Sequence, residues 1–339
     1  MTKPYGTIML IGRFQPLHNA HLEIIKRCTA LTDQLVVVIG SANQPRTYKN
    51  PFTYDERARM VKAATAGLSL RVYTEPNIDT IYNDQAWAVR IQGIHSKYQC
   101  LGTKTAIIGH KKDDSSFYLD MFPQWGFENV EEIEPLSAVN IRDLYFKRSY
   151  NSNFIKHVVP ETTYDFLQEF RRTEEFEQII REREFVETYK KQYASLPYPP
   201  IFSTADSVVI QSGHVLMIKR RAEPGKGLWA LPGGYVNANT DKSVLDAAIR
   251  ELREETGIKV PEPVLRGSIK DSRVFDAIDR SPRGRIITHC FKIELPDGPL
   301  PRVKGQDDAE KARWVPIAEV KSEECFEDHY EILQTFLGA

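Results

Sequence analysis

The sequence predicts an α/β fold in its first half, built on a doubly wound parallel sheet, followed by a separate α+β domain with its own sheet. Three observations predict it. Apolar runs at 7–11, 35–39 and 105–108 are each followed by Gly and then by a longer stretch of helical pattern, the alternation expected of a buried parallel sheet with crossover helices. Leu196-Pro197-Tyr198-Pro199-Pro200 cannot continue a helix and marks a linker. The length of 339 residues accommodates two domains of about 150 residues, each large enough for its own core. We therefore expect domains at 1–185 and 203–339, with 186–202 forming a helix end and the Pro-rich linker.

Taken in order, Thr7-Ile8-Met9-Leu10-Ile11 is the first strand, and 19–31 is a helix in which Leu22, Ile25 and Cys28 recur on one face. Leu35-Val36-Val37-Val38-Ile39 has no polar alternation, which suits a strand covered on both faces. Helical patterns follow at 54–66 and 84–99, then the third strand at 105–108. Thr162–Ala194 holds no Gly or Pro and reads as helix, broken near Arg172-Thr173. Beyond the linker, Ser207-Val208-Val209-Ile210 and His214-Val215-Leu216-Met217-Ile218 flank Gln211-Ser212-Gly213, a hairpin.

Composition narrows the function. Hydrophobic residues at 41% and charged residues at 27% describe a chain that folds rather than a disordered one. Forty-five basic against forty-six acidic side chains give a net charge of −1, so nothing draws the chain as a whole to nucleic acid or an acidic membrane, and any phosphate must be held locally. No basic cluster or extra helical domain remains to read DNA. Cys28, Cys100, Cys290 and Cys325 form no CxxC pair, which argues against a zinc ribbon and suits free thiols in a reducing compartment. The apolar run at 7–11 ends at Gly12-Arg13, too short for a signal peptide or membrane span, so a cytoplasmic protein is expected. Whether the chain forms a homo-oligomer stays open.

At the end of the first strand the chain reads Gly12-Arg13-Phe14-Gln15-Pro16-Leu17-His18-Asn19-Ala20-His21, with helical pattern following at once. The spacing puts two imidazoles on one side of a first helical turn, where unpaired backbone N–H groups favour anions. Gly12 lets a phosphate approach the backbone. Two histidines at this spacing are by themselves more often unrelated, and no further Cys, His or Glu completes a zinc set. The surrounding residues decide the matter: the segment resembles the GxFxPxHxGH signature of the HxGH nucleotidyltransferases, of the archaeal-type nicotinamide mononucleotide (NMN) adenylyltransferase branch. Gly40-Ser41 and Asn50-Pro51-Phe52-Thr53 with Glu56-Arg57 are similar to the GS and NPFTxxER elements of that family, so the likeness covers about 1–150.

That resemblance implies a Rossmann-like nucleotidyltransferase domain that joins ATP and NMN into NAD and pyrophosphate. His18 and His21 would hold the triphosphate, with Arg13 neutralising charge. The family's ISSTxxR element falls on Leu136-Ser137-Ala138-Val139-Asn140-Ile141-Arg142, which implies phosphate binding by Arg142 at a helix start, beside Ser137 and Asn140. Ala20 stands where the signature has Gly, and Val139 where the family usually has Thr. Gly12, Arg13, Phe14, Ser41, Arg46 and Asn50 are the further substrate-binding candidates. Trp87 falls where related enzymes stack an aromatic on the nicotinamide, a place a core Trp would equally fill. Arg46, Lys49 and Arg57 lie near the second crossover, and Arg57 suits a helix-surface ion pair with Asp55 or Glu56 as well as the cleft. Gly109-His110-Lys111-Lys112-Asp113 follows the third strand and is a further cleft candidate.

The second constellation is Gly233-Gly234 followed by Arg250-Glu251-Leu252-Arg253-Glu254-Glu255-Thr256-Gly257-Ile258. On a helix Glu251, Glu254 and Glu255 span an arc of about 100°, beside an apolar stripe of Leu245, Ala248, Ile249 and Leu252. Clustered carboxylates suit a hard divalent cation, although three Glu alone more often mark a solvated face. The whole segment resembles the Nudix box, with Leu231-Pro232-Gly233-Gly234 before it, His214-Val215-Leu216 on the early strand and Trp314-Val315-Pro316 near the end.

A Nudix domain over about 203–339 implies metal-dependent cleavage of a nucleoside diphosphate linked to another group. Glu251, Glu254 and Glu255 would be metal ligands and Arg250 would orient them. Lys242 stands where the box has its first Glu, and Asp241 is placed to compensate. Asp276–Arg285 and Gly305-Gln306-Asp307-Asp308 are loops that can complete the site, with Asp308 a candidate base, while Trp229 and Phe275 either stack on a base or pack. The fusion resembles bifunctional NMN adenylyltransferase/Nudix ADP-ribose pyrophosphatase proteins. This implies ATP, NMN and ADP-ribose as substrates, with Mg²⁺, or Mn²⁺ in its place, at both sites. A nucleotide-binding or regulatory first domain beside a working ADP-ribose hydrolase is the alternative.

Overall fold

The structure, a computed structural model, describes residues 3–111, 114–131, 137–150 and 152–338. Lys112, Asp113 and Leu136 of the motifs above lie outside them. The chain divides into two compact units, Met1–Ile180 and Arg181–Ala339.

The first unit runs β1 (Thr7–Gly12), α1 (Asn19–Leu31), β2 (Gln34–Ile39), α2 (Tyr54–Thr65), β3 (Arg71–Pro76), α3 (Asp84–Tyr98), β4 (Thr105–Gly109) and β5 (Gly126–Asn129). Helices α4 (Ala138–Tyr145), α5 (Ser152–Val158), α6 (Glu161–Phe170) and α7 (Glu174–Lys191) follow. The strands form one parallel sheet in the order β3-β2-β1-β4-β5. Because successive side chains point to opposite faces, Ile8, Leu10, Val37 and Ile108 pack on one side with Ile25, Cys28 and Val61, while Met9, Val36, Val38 and Ile107 pack on the other with Ala88, Ile91 and Ile94. Both faces are covered, as the apolar runs demanded.

Two strands escape a periodicity reading. β3 (Arg-Val-Tyr-Thr-Glu-Pro) and β5 (Gly-Phe-Glu-Asn) are the sheet edges, partly exposed and without an apolar run. The segment after β4 also differs from expectation: it forms a 3-10 turn at Asp114–Asp120 before β5 rather than a longer helix. The expected helix at 162–194 breaks at 171–173, where Thr173 Oγ1 accepts the Phe176 N–H and starts α7. The division between units falls inside α7. Phe176, Ile179 and Ile180 belong to the core of the first unit, whereas Tyr189 packs on Phe202 in the second.

The second unit comprises β6 (Ile201–Gln211), β7 (His214–Arg220), β8 (Trp229–Ala230), β9 (Gly233–Tyr235), α8 (Val244–Thr256), α9 (Glu262–Gly267), β10 (Ile269–Phe275), β11 (Arg285–Glu294), β12 (Ala309–Pro316) and α10 (His329–Leu337). Its sheet is mixed, in the order β10-β11-β6-β7-β12, with β6 and β11 parallel, β8 on β7 and β9 on β6. The hairpin turns on Ser212 and Gly213, both at positive φ, which is the backbone twist a two-residue turn needs. His214, Val215 and Leu216 pair with Pro316, Val315 and Trp314 across β7 and β12. Ser243 caps α8 by accepting the Asp246 N–H, and Gly257 ends it in the left-handed conformation. Ala247, Ala248, Ile249 and Leu252 turn its apolar stripe into the core. The four cysteines are unpaired, and among the described residues no helix is long and apolar enough to cross a membrane.

Candidate active sites

In the first unit β1 lies between β2 and β4, so the sheet order reverses there and the carboxyl ends of these strands open a crevice for a ligand. Gly12 ends β1, Gly40-Ser41 follow β2, and Gly109 ends β4. Phe14 and Ser41 both stand at positive φ (52° and 50°), a conformation costly for residues with a side chain. The surrounding contacts hold them there. The Phe14 ring is buried, 4.7 Å from the His21 ring, and lies under Gly12, where a Cβ would sit 3.1 Å from it. The Ser41 N–H and Oγ both donate to Asp79.

His18 is the residue before α1 and His21 lies in its first turn, their rings stacked with centroids 3.6 Å apart. His21 Nδ1 accepts the His18 backbone N–H at 3.3 Å, so a neutral His21 carries its proton on Nε2 and is a donor there. His18 Nδ1 is buried with no partner. Burial pushes His18 down to about 4, and burial together with His18 pushes His21 well below the usual histidine value. Both rings are therefore neutral at pH 7, offering hydrogen bonds to phosphate rather than charge.

Charge comes from arginines. Arg142 is buried and its Nη1 donates to the Gln15 carbonyl at 2.8 Å, while its Nε has no partner. It sits in the second turn of α4 rather than at the helix start, because Ser137 accepts the Asn140 N–H and begins the helix at Ala138. Arg57 is 1% exposed and, among the described residues, makes no ion pair. Its guanidinium donates to the carbonyls of Arg13 (2.8 Å), Gly40 (2.7 Å), Ser41 (2.9 Å) and Thr53 (3.2 Å), tying the ends of β1 and β2 together. Burial lowers Arg57 and Arg142 to about 10, with Arg13 adding to the effect at both, so each stays cationic at neutral pH.

In the second unit Arg250 lies among four acceptors. It pairs with Asp241 at 2.9 and 2.8 Å, with Glu251 at 2.8 Å and with Glu254 at 2.9 Å, and reaches the Tyr235 carbonyl. Asp241 is held at about 2 chiefly by its hydrogen bond to Arg250, beside exposed Lys242. Glu255 Oε2 accepts the Gly233 N–H at 2.8 Å, and burial with the nearby charges of Glu251 and Asp206 pushes Glu255 up to about 9. Asp206 on β6 is buried, accepts the Thr288 hydroxyl and is pushed up to about 6 by burial.

Two missing side chains make room. A Cβ on Gly234 would lie 2.5 Å from Glu251 Oε1, and one on Gly233 would lie 2.2 Å from Asp206 Oδ1. The carboxylates line a cleft of about 270 Å³ that also holds Arg220, Arg280, Arg283, Asp307, Asp308 and Phe326. Among the described residues no three metal-ligating side chains yet converge, since Arg250 holds Glu251 and Glu254 in ion pairs and the Gly233 N–H holds Glu255. The all-oxygen donor set, with Glu255 buried, Glu251 half-buried and Glu254 exposed, and the glycine cradle fit a hard divalent cation.

Comparison with known proteins decides the family. Residues 9–206 match the cytidylyltransferase-like family, more than half of the chain. The chain belongs to the cytidylyltransferase-like family. Residues 202–336 match the NUDIX domain. A nicotinamide/nicotinic acid mononucleotide adenylyltransferase of Acinetobacter baylyi is 34% identical over 176 residues, 52% of this chain and 92% of that protein. An ADP-ribose pyrophosphatase of Methanocaldococcus jannaschii is 30% identical over 159 residues, 47% of this chain and 82% of that protein. A crystal structure of a bifunctional NMN adenylyltransferase/ADP ribose pyrophosphatase from Francisella tularensis, complexed with AMP and a manganese ion, superposes with a TM-score of 0.90 at 31% identity, covering 98% of this chain and 99% of that one.

Within the cytidylyltransferase-like unit, Gly12, Phe14, His18, His21, Ser41 and Arg142 gather around the ends of β1 and β2, with Arg13 exposed beside them. Arg46 turns instead to a bidentate pair with Glu56, both bonds at 2.7 Å. Asn50 keeps a buried, unpartnered Oδ1. Trp87 is half-buried on the other face of the sheet, edge-on to Tyr118 at 6.0 Å. Gly109 is buried against Leu119, and the Ser137 hydroxyl and Asn140 N–H are joined in the helix cap. In the Nudix unit Phe275 is packed against Phe336 and Trp229 lies under Arg313. Asp206 went unnoticed in the sequence, though a carboxylate inside the apolar strand Ala205-Asp206-Ser207-Val208-Val209 is a signal. Arg57 was singled out in the sequence, but its partners were not legible there, because most of its acceptors are backbone carbonyls brought in from two other segments.

Proposed function

We propose that this chain is a bifunctional enzyme of NAD metabolism, an NMN adenylyltransferase and an ADP-ribose pyrophosphatase. The observation that carries it is that one chain, alike over nearly its whole length to the bifunctional Francisella protein, holds a stacked neutral histidine pair in one unit and a buried carboxylate cluster in the other. In the first unit the NMN phosphate oxygen attacks the α-phosphorus of magnesium-bound ATP, the bond to the β-phosphate breaks, and pyrophosphate leaves. His18 and His21 donate to the phosphoryl oxygens, His21 through Nε2. Arg142 and Arg57 supply fixed positive charge without needing a proton. Ser41, Asn50, Trp87, Ser137 and Asn140 serve the nucleotides.

In the Nudix unit Glu251, Glu254 and Glu255 hold a divalent cation, Mg²⁺ or Mn²⁺, which when bound activates water and neutralises the diphosphate. Arg250 orients Glu251 and Glu254, and Gly233 and Gly234 hold the backbone close to the carboxylates. Water cleaves the diphosphate to leave AMP and ribose 5-phosphate. The test is to incubate the purified protein with ATP, NMN and Mg²⁺, and separately with ADP-ribose and Mg²⁺, following products by chromatography. NAD with equal pyrophosphate, and AMP with ribose 5-phosphate, are expected. ADP-ribose cleavage without NAD would make the first unit a binding or regulatory module.

A further inference from the structure

Asn77 differs from the other buried polar side chains of the first unit. Among the described residues with an unmet buried side-chain atom it alone leaves two, Nδ2 and Oδ1, while being 2% exposed. His18, Asn50 and Arg142 each leave one. A buried amide with neither bond made is costly to fold, so its natural complement is a ligand that brings both partners.

The backbone fixes where that amide lies. Asn77 directly follows β3; its N–H donates to the Ile39 carbonyl at 2.9 Å and its carbonyl accepts the Ala42 N–H at 3.0 Å, which carries the course of the strand through it. Alternation then places its side chain on the face of Tyr73 and Glu75, the face that α3 covers. Tyr73 packs in the core on that side, and Glu75 accepts from Lys97 and Tyr98 of α3. Trp87, in the first turn of α3, belongs to the same face. Asn77 therefore stands at the carboxyl end of the sheet, where ligands of such sheets bind, on the side that carries an indole.

That combination selects a ligand. A carboxamide carries a donor and an acceptor in one plane, the complement of an Asn amide, and the two can form a pair of parallel hydrogen bonds. A carboxylate carries acceptors only, so against Asn77 it makes one bond and sets its other oxygen against Oδ1. An adenine edge also offers a donor and an acceptor. The indole decides between them, because a cationic pyridinium gains cation–π energy on it that neutral adenine does not.

We infer that Asn77 reads the carboxamide of the nicotinamide nucleotide, Nδ2 donating to its oxygen and Oδ1 accepting from its NH₂, and so makes the first unit select the amide over the acid, nicotinate mononucleotide. The inference rests on the adenylyltransferase reading above and adds the side chain that sets its pyridine specificity.

The test compares the whole wild-type chain with Asn77→Leu, which fills nearly the same volume without polar atoms, and with Asn77→Ala. With ATP and Mg²⁺, kcat/KM for NMN divided by that for nicotinate mononucleotide should fall about 10- to 100-fold in both variants, through the loss of two hydrogen bonds and of one repulsion. KM for ATP should stay at the wild-type value, which also shows the unit folded. Calorimetric titration of each mononucleotide beside α,β-methylene-ATP, whose α–β bridge cannot be cleaved, reads binding without turnover. If wild type makes no dinucleotide yet binds NMN more tightly than nicotinate mononucleotide, and Asn77→Leu erases the difference, the inference stands and the adenylyltransferase reading falls. An unchanged ratio, an equal loss for both nucleotides as a structural role would give, a loss that falls on ATP instead, or a wild type that binds no NMN would overturn it.

Discussion

Replacing Arg57 by Met removes a buried cation, and the structure predicts a large effect. Its guanidinium holds four carbonyls, three of them at the ends of β1 and β2 beside Gly12 and Ser41. A hydrogen bond from a charged group contributes about 1.5–3 kcal/mol, and the four are not additive. Losing the equivalent of two gives a cost of about 3 kcal/mol or more, a sizeable part of the 5–15 kcal/mol that holds a typical domain together. For a unit of this size that corresponds to a fall of at least about 6 °C in melting temperature. Catalysis should suffer more than stability, because Arg13, Gly40 and Ser41 lose the tie that positions them, and small misplacements around a phosphate cost about 100-fold. The assay is calorimetry alongside NAD formation measured well below the melting point, with ADP-ribose cleavage as internal control. Arg57→Lys should recover part of both. A variant that melts within about 2 °C of wild type and makes NAD at the wild-type rate would refute the argument.

Further outcomes follow from the same geometry. His21→Ala should abolish NAD formation and spare ADP-ribose cleavage, since each reaction has its own unit; loss of both would contradict separate sites. Gly234→Ala places a Cβ 2.5 Å from Glu251 Oε1, so it should weaken Mn²⁺ binding about 10-fold or more while NAD formation is retained, as a metal titration would reveal. His18 is held neutral by burial down to about 4 against an ordinary 6.5. Between those values the unfolded chain binds the extra proton, so the stability linked to His18 is complete above pH 6.5 and is lost as pH falls toward 4. Urea midpoints at pH 7 and pH 5 should therefore fall less in His18→Gln than in wild type, and equal falls would show that His18 is not buried.

Much of the architecture was legible because burial leaves a mark on composition. Ile8–Ile11, Leu35–Ile39 and Ala106–Ile108 are apolar throughout since both sheet faces are covered, and each became a strand of the parallel sheet. β3 and β5 left no such mark, because an edge strand is half solvated and needs only backbone pairing to exist. The motifs were readable for a related reason. His18 caps α1 with His21 in its first turn, and Glu251, Glu254 and Glu255 all stand on α8, neighbourhoods that sequence spacing encodes directly.

Long-range pairing followed another rule. Arg46, grouped with the phosphate candidates, found Glu56; Arg57, readable as a surface ion pair, found four carbonyls; Asp241 supplied the partner that Lys242 does not. Arg280 and Arg283 took Asp328 and Glu327 from a distant segment. By itself, then, the sequence determined the two kinds of sheet, the helices that present each motif and the chemistry those motifs suit, all properties of neighbours along the chain. Tertiary structure alone decided which charged groups are spent and which remain free for a ligand, because a side chain's partner depends on which remote segment folding brings within about 3 Å of it.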